Sequence, residues 1–187
     1  VLSSILNNKT KLEEMKNKTK WILIVFVLSF ILSVIFSAVS TSMANSFNTI
    51  MLVFITLAVI AIGILFDLIG VAVLTCKESN LHAKAAKKMK GAKQAIALIK
   101  NSTKVSSVCN DVIGDICGIV SGSLGAALTL EIIGIINISS VVITAIVTAI
   151  ISSLTVGFKA IFKDVAEKNS DAIVYTVGKV ISIFKKQ

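Results

Sequence analysis

Residues 21–40 read WILIVFVLSFILSVIFSAVS, an apolar run that opens on a tryptophan and holds no charged side chain. A helix needs about 20 such residues to cross the roughly 30 Å hydrocarbon core of a bilayer, and tryptophan is common at the headgroup level. The apolar core of a cleaved signal peptide is shorter, about 7–15 residues. We therefore interpret this run as a retained transmembrane helix that follows a polar, basic segment at 1–20.

Three further apolar runs lie at 50–76, 105–130 and 141–158. Together the four runs predict an all-α fold, a polytopic helical membrane protein with four transmembrane helices. The composition agrees, because 55% of the 187 residues are hydrophobic, only 16% are charged, and proline is absent. Such a chain is too apolar to be disordered and too apolar for an ordinary soluble domain.

All 19 basic residues are lysines, and they lie in the segments that flank the apolar runs. Along the chain they number five in 1–20, none in 41–49, eight in 77–104, none in 131–140 and six in 159–187. Cytoplasmic loops of membrane proteins carry the excess of lysine, so this alternation predicts a multi-pass protein of the cell membrane with both termini in the cytoplasm. Topology thereby accounts for the net charge of +9, and we expect no nucleic-acid binding.

Two lysine-rich segments also predict juxtamembrane amphipathic helices, at about 79–100 and 159–186. Apolar residues recur at helical spacing in both segments, and lysines lie off these stripes. The stripes are Leu81, Ala85, Met89, Ala92, Ile96 and Ile99 in the first segment, and Ile173, Val177, Ile181 and Phe184 in the second. The pattern is typical of a helix that lies on an anionic leaflet and equally of a helix that packs on its neighbours.

Polar side chains interrupt the second and third runs at Asp67, Asn110, Asp111 and Asp115. A charge at the centre of a transmembrane helix costs about 2.5–3.5 kcal/mol on insertion scales. Asp111 and Asp115 share a helix face, with Asn110 on an adjacent strip, and oxygen ligands of this kind suit Mg²⁺. The four residues are therefore candidate metal ligands. The alternative is that Asp111 and Asp115 reach cytoplasmic water or pair with Lys104.

Gly114, Gly118 and Gly122 are spaced by four and predict a face of bare backbone on which helices pack closely, which favours a homodimer. No catalytic constellation accompanies them. The single histidine, His82, lacks a partner motif, and the sequence contains neither a glycine-rich phosphate loop nor an HExxH motif. We therefore do not expect an enzyme, and we expect no cofactor other than magnesium.

The order of segments in residues 50–187 carries a family resemblance. One span contains Phe66-Asp67, a basic segment follows at 83–101, the next span holds a strip rich in glycine at 110–122, and the last span leads into GFKAIFKDVAEKN at 157–169. This arrangement resembles the transmembrane domain of the CNNM/CorB/CorC family of magnesium and cobalt transport proteins. The run 21–40 is an extra span in that comparison, and the cytoplasmic regulatory domains of the family have no counterpart in these 187 residues.

The resemblance implies a homodimer and a divalent-cation site near Asp67, Asn110, Asp111 and Asp115. The sequence differs from the family pattern at two residues of this cation site. Asp67 stands where the family has an ion-site serine, and Lys159 stands where its third span has a glutamate. Because charges inside a helix bundle usually pair, Asp67 and Lys159 are a candidate ion pair that would replace the cation.

Two functions follow from these residues. The first is membrane transport of divalent cations, magnesium above all. The second is a non-transporting membrane interaction or structural protein of the same fold, with the Asp67–Lys159 pair in place of the cation. A pore-forming toxin is disfavoured because the spans are too uniformly apolar to line a water-filled channel. The expected partners are the lipid bilayer, a second copy of the chain and a divalent cation.

Overall fold

The computed structural model describes residues 2–44, 46–135 and 139–184, and this part of the chain is helical with no strand. The predicted all-α fold is thus confirmed. In chain order the helices are α1 (Leu2–Ala44), α2 (Thr49–Thr75), α3 (Glu78–Ala86), α4 (Ala92–Lys100), α5 (Ser102–Ser106), a π-helical segment (Ser107–Gly114), α6 (Asp115–Ile135), α7 (Ser140–Lys168) and α8 (Ser170–Phe184).

Four of these stretches are long and apolar enough to cross a membrane, which makes the chain a polytopic helical membrane protein. They are Thr19–Ser40, Thr49–Thr75, Ser102–Gly134 and Ser140–Lys168. The predicted runs lie inside them or extend beyond them by a single residue. Three boundaries differ more. The third stretch starts before the predicted 105 and continues past 130, and α7 runs on to Lys168, so residues 159–168 extend the helix of the fourth span instead of opening the tail helix.

The centre of the bundle is α2, which packs against both α6 and α7, while α1 packs on α6. A ridge of apolar residues along the π-helical segment and α6 fills the space between α1 and α2. The ridge residues recur every four positions and are Val112, Ile116, Val120, Leu124 and Leu128, all buried with Leu52 of α2. This spacing puts every member on one helix face.

The outer faces of α1 and α7 are apolar and uncovered. Phe26 and Phe30 of α1 are 71% and 66% exposed, and Val141 and Val156 of α7 are 74% and 67% exposed. Continuous apolar surface of this extent is typical of helices in contact with hydrocarbon. It fits the membrane-spanning role of both helices.

Helices α3, α4 and α8 form a small layer at the end of α2 that carries Thr75. The predicted single helix at 79–100 is divided here into α3 and α4, because Lys88 and Gly91 adopt positive φ angles of 53° and 87°. The break lets the chain turn and α4 pack on α8. A Cβ on Gly91 would lie 2.5 Å from the Cα of Lys179, and one on Gly178 would lie 2.6 Å from the carbonyl oxygen of Gly91.

Part of each apolar stripe packs on neighbouring helices. Leu81 of the first stripe is fully buried in a cluster with Val73 of α2, and Ile173 of the second stripe is partly buried against that cluster. Packing therefore accounts for these members, whereas Phe184 at the end of the second stripe is 86% exposed. The tail helix begins only at Ser170, after a break at Asn169, instead of at 159.

Asp171 at the start of α8 ties the layer to the end of α2. Its carboxylate accepts hydrogen bonds from Asn80 Nδ2 and from Cys76 Sγ, the latter at 3.1 Å. Burial alone would raise the pKa of Asp171, but these two hydrogen bonds, the nearby Lys84 and the backbone N–H of Lys77 outweigh burial and lower the pKa. Lys84 also lies over the ring of Tyr175, 4.5 Å from its centroid.

Candidate functional site

Asp67 on α2 and Lys159 on α7 meet inside the bundle. Lys159 Nζ lies 3.5 Å from Asp67 Oδ1, and the two side chains are 28% and 20% exposed. Asp67 lies eight residues before the end of α2, and Lys159 lies nine residues before the end of α7. At about 1.5 Å per residue, both are roughly 12–14 Å from those ends, which places them at similar depth.

Asn110 faces the same region from the π-helical segment. Its Nδ2 atom donates to Ser106 Oγ at 3.4 Å, while its Oδ1 atom is buried and has no hydrogen-bond partner among the described residues. The side chain packs against Gly70, one turn beyond Asp67 on α2, where any Cβ would clash with Oδ1. A buried carbonyl oxygen without a donor is costly, which makes this atom a candidate ligand.

Gly114 completes the site by leaving room between the three elements. A Cβ at this position would lie 3.6 Å from Lys159 Nζ and 4.0 Å from Asp67 Oδ1. The carboxylate, the ammonium and the unpartnered amide oxygen therefore come from three elements, α2, α7 and the π-helical segment. We refer to Asp67, Asn110, Gly114 and Lys159 as the inner polar site.

The π-helical segment explains how Asn110 comes to face α2. In a π-helix the hydrogen bonds run from i to i+5, so each turn is wider than an α-helical turn, and such segments are frequent at functional sites. The segment covers Ser107–Gly114 and buries Cys109, Val112 and Gly114. Asn110 faces inward beside them, and the next residue, Asp111, is exposed.

Asp111 and Asp115 do not join the inner polar site. Both are exposed on the outer face of the third span, and neither forms a salt bridge with a described residue. Lys104, the alternative partner, instead lies 5.4 Å from the ring centroid of Trp21. The predicted set of four ligands is thus split into an inner pair, Asp67 and Asn110, and an outer pair.

The predicted glycine face is also split. Gly114 contacts the inner polar site, but no described atom lies within 4 Å of a Cβ placed on Gly118 or Gly122. These two glycines continue the exposed face of Asp111 and Asp115 and form no helix contact within the described chain. The close approach of α2 to α6 occurs instead at Gly63, where a Cβ would lie 2.8 Å from Cys117 Cβ.

Among the described residues, no three His, Cys, Asp or Glu side chains lie close enough together to hold a metal ion. A metal held by several protein side chains is therefore not favoured. The inner polar site offers two oxygen ligands, the Asp67 carboxylate and Asn110 Oδ1. Mg²⁺ commonly takes one or two carboxylates and keeps several of its waters, so two protein oxygens fit a partly hydrated ion. Lys159 would have to move aside for it.

Ser106, which accepts the hydrogen bond from the Asn110 amide, is not among the residues predicted from the sequence. The available signal was its spacing of four residues from Asn110, which places both on one face of an α-helix.

No protein family, curated protein or solved structure matches the chain. The resemblance to the CNNM/CorB/CorC transmembrane domain therefore stays a prediction that rests on the residues quoted for it.

Proposed function

We propose that the chain is a membrane transport protein for divalent cations, magnesium above all, and that Asp67 and Asn110 bind the cation. The observation that carries this proposal is the buried Oδ1 atom of Asn110, which has no hydrogen-bond partner among the described residues and packs on Gly70, one turn from Asp67 on α2. Ionisable groups inside a transmembrane bundle commonly mark an ion pathway. Both oxygens are ligands that Mg²⁺ prefers.

Lys159 has a defined part in this proposal. Its ammonium neutralises Asp67 when no cation is bound, so that the carboxylate is never left alone at depth. A divalent cation would then compete with Lys159 for the same carboxylate. The lysine side chain is long, flexible and partly exposed, so it can withdraw towards the membrane surface.

The second candidate is a non-transporting membrane interaction or structural protein in which the Asp67–Lys159 pair replaces the cation. The 3.5 Å separation of the two charges favours it, because the pair already satisfies Asp67. The two candidates differ in one measurable property. The transporter binds and moves Mg²⁺, and the structural protein does neither.

The experiment is Mg²⁺ uptake into proteoliposomes, monitored by a magnesium-sensitive dye inside. Transport through the inner polar site requires uptake by the wild type and its loss in Asp67→Asn and Asn110→Leu. Asp164→Asn, which neutralises an exposed acid of α7, is the matched control and should keep wild-type uptake. Absence of uptake in the wild type, or equal uptake in all variants, would overturn the proposal.

Calorimetry with Mg²⁺ in detergent separates the inner pair from the outer pair. The proposal expects binding to disappear in Asp67→Asn and to persist in the double variant Asp111→Asn with Asp115→Asn. The opposite pattern would assign the cation to the outer pair.

We propose further that the chain forms a homodimer through the open face of the third span. The face combines two glycines without neighbours, Gly118 and Gly122, with two exposed carboxylates. Small residues allow close helix contact in membranes. The double variant Gly118→Leu with Gly122→Leu should turn dimer into monomer in native mass spectrometry. Gly134→Leu with Gly157→Leu, also in open space, should not, and a dimer that survives the first variant contradicts this interface.

The proposed location is the cell membrane, with both termini and the α3–α4–α8 layer in the cytoplasm. The distribution of lysines supports it, since residues 77–104, which include α3 and α4, hold eight of the 19 lysines, more than any other segment. Labelling of single added cysteines from either side of oriented vesicles tests this topology.

A further inference from the structure

The turn between α3 and α4 borders a half-open cavity of about 880 Å³. This volume lies within the range of about 300–1,000 Å³ that is typical of ligand sites. The cavity is formed by residues of the turn, by the start of α4 and by the last turn of α8, at the end of the bundle where α2 and α7 end. It is separate from the inner polar site and shares no residue with it.

The charge of the cavity is strongly positive. Three exposed lysines line it, Lys88, Lys90 and Lys93, together with the amide of Gln94, and no carboxylate is among the described residues that line it. Lys88 holds a φ of 53°, which a residue with a side chain rarely adopts. Strained backbone of this kind is frequent at ligand sites.

The surroundings of the cavity are apolar and uncovered. Met89 is 41% exposed at the turn, and Ile183 and Phe184 are 67% and 86% exposed at the end of α8. Lysines beside exposed apolar side chains, at the end of a transmembrane bundle, are typical of protein that lies in the headgroup region. The same arrangement would be unfavourable in contact with water alone.

We propose that this cavity binds the phosphate headgroup of an anionic phospholipid in the adjacent leaflet. Lys88, Lys90 and Lys93 contact the headgroup, and Met89, Ile183 and Phe184 contact the acyl chains beneath it. The neighbouring apolar side chains favour a lipid over a soluble phosphate compound, because a soluble ligand would leave them in water. The lipid thereby fixes the α3–α4–α8 layer against the membrane.

The test is retention of phospholipid by the full chain, measured by native mass spectrometry after extraction from nanodiscs of mixed phosphatidylcholine and phosphatidylglycerol. The variant replaces Lys88, Lys90 and Lys93 with glutamine. The control removes the same charge outside the cavity by replacing three other exposed lysines, Lys77, Lys100 and Lys163, with glutamine. Excess inorganic phosphate is added in a parallel arm.

The wild type and the control should retain phosphatidylglycerol in preference to phosphatidylcholine, and the cavity variant should lose this preference. The expected loss of affinity is roughly 100-fold, since each of the three lysines near an anionic surface contributes about 1 kcal/mol and 1.4 kcal/mol corresponds to tenfold. Equal retention by the cavity variant and the control would overturn the site. Displacement of the lipid by inorganic phosphate would overturn the lipid as its ligand.

Discussion

Removing one member of the Asp67–Lys159 pair should destabilise the protein more than removing both. Asp67→Asn leaves an ammonium without its carboxylate, and Lys159→Met leaves a carboxylate without its ammonium. Both charges lie roughly 12–14 Å from the ends of their helices by the rise of about 1.5 Å per residue, within two candidate membrane spans. The double variant leaves two neutral side chains of similar size.

The magnitude follows from depth and exposure. A lone charge at the centre of a span costs about 2.5–3.5 kcal/mol, and breaking a buried pair costs about 3–5 kcal/mol. The side chains of Lys159 and Asp67 keep 28% and 20% of their surface exposed, so some relaxation towards water is available. We therefore expect each single variant to lose about 2 kcal/mol, the double variant about 1 kcal/mol, and the coupling free energy to be about 3 kcal/mol.

The assay is equilibrium unfolding in detergent for the four proteins of the cycle. The control cycle uses Asp164→Asn and Lys168→Met, a pair four residues apart on α7 whose side chains are 62% and 71% exposed at a separation of 2.6 Å. Its coupling should be about 0.3–0.5 kcal/mol because water screens it. Additivity within about 0.5 kcal/mol in the Asp67–Lys159 cycle would refute the argument that the two charges depend on each other.

Three further predictions concern the inner polar site and the α3–α4–α8 layer. Gly70→Ala should destabilise the protein by about 1–3 kcal/mol and weaken Mg²⁺ binding, because the new methyl group must displace the Asn110 amide. The control Gly134→Ala, which lies in open space, should do neither. Equilibrium unfolding measures the stability, and calorimetry measures the Mg²⁺ binding. Gly91→Ala should lower the free energy of unfolding by at least about 1–2 kcal/mol in the same assay. Alanine is strained at a φ of 87°, and its Cβ would lie 2.5 Å from Lys179 Cα. Unchanged stability would contradict the contact between α4 and α8. Asp171 has a lowered pKa in the folded protein, so its contribution to stability is present above the ordinary pKa of 3.8. This contribution is lost as the pH falls below 3.8 and through the folded pKa. The difference in thermal stability between the wild type and Asp171→Asn should therefore be constant at neutral pH and shrink over that acidic range.

The four spans were predictable because hydropathy over about 20 residues is a strong signal that needs no knowledge of neighbours. The break between α3 and α4 was not predictable from the sequence. The segment that holds Lys88 and Gly91 contains no proline, and its apolar spacing continues through the turn, so periodicity alone indicated one helix across α3 and α4. The break depends on α4 crossing α8 at Gly178, a contact between residues far apart in the chain.

The inner polar site was predictable only in part. Asp67 and Lys159 were predicted as a pair because the family resemblance puts both at the ion site and charges inside a bundle usually pair. The sequence could not tell which face of the third span is turned inward, because Asn110 and Asp111 are adjacent and both are polar. That choice depends on the π-helical turn and on Gly70, which gives Asn110 space on α2.

Asp111 and Asp115 leave two charges uncovered on the surface of a candidate membrane span. Lys104 lies near the Trp21 ring, a side chain typical of the headgroup level. Asp111 and Asp115 follow Lys104 by seven and eleven residues, about two and three helical turns further into the candidate span Ser102–Gly134. Two exposed carboxylates at the centre of a span would cost about 5–7 kcal/mol at 2.5–3.5 kcal/mol each, which is comparable with the 5–15 kcal/mol net stability of a typical domain. Asp67 avoids this cost through Lys159, but the described chain offers no such cation on the outer face. This cost supports the proposed homodimer, because a second copy packed on Gly118 and Gly122 would cover the outer carboxylates where bare backbone allows the closest approach.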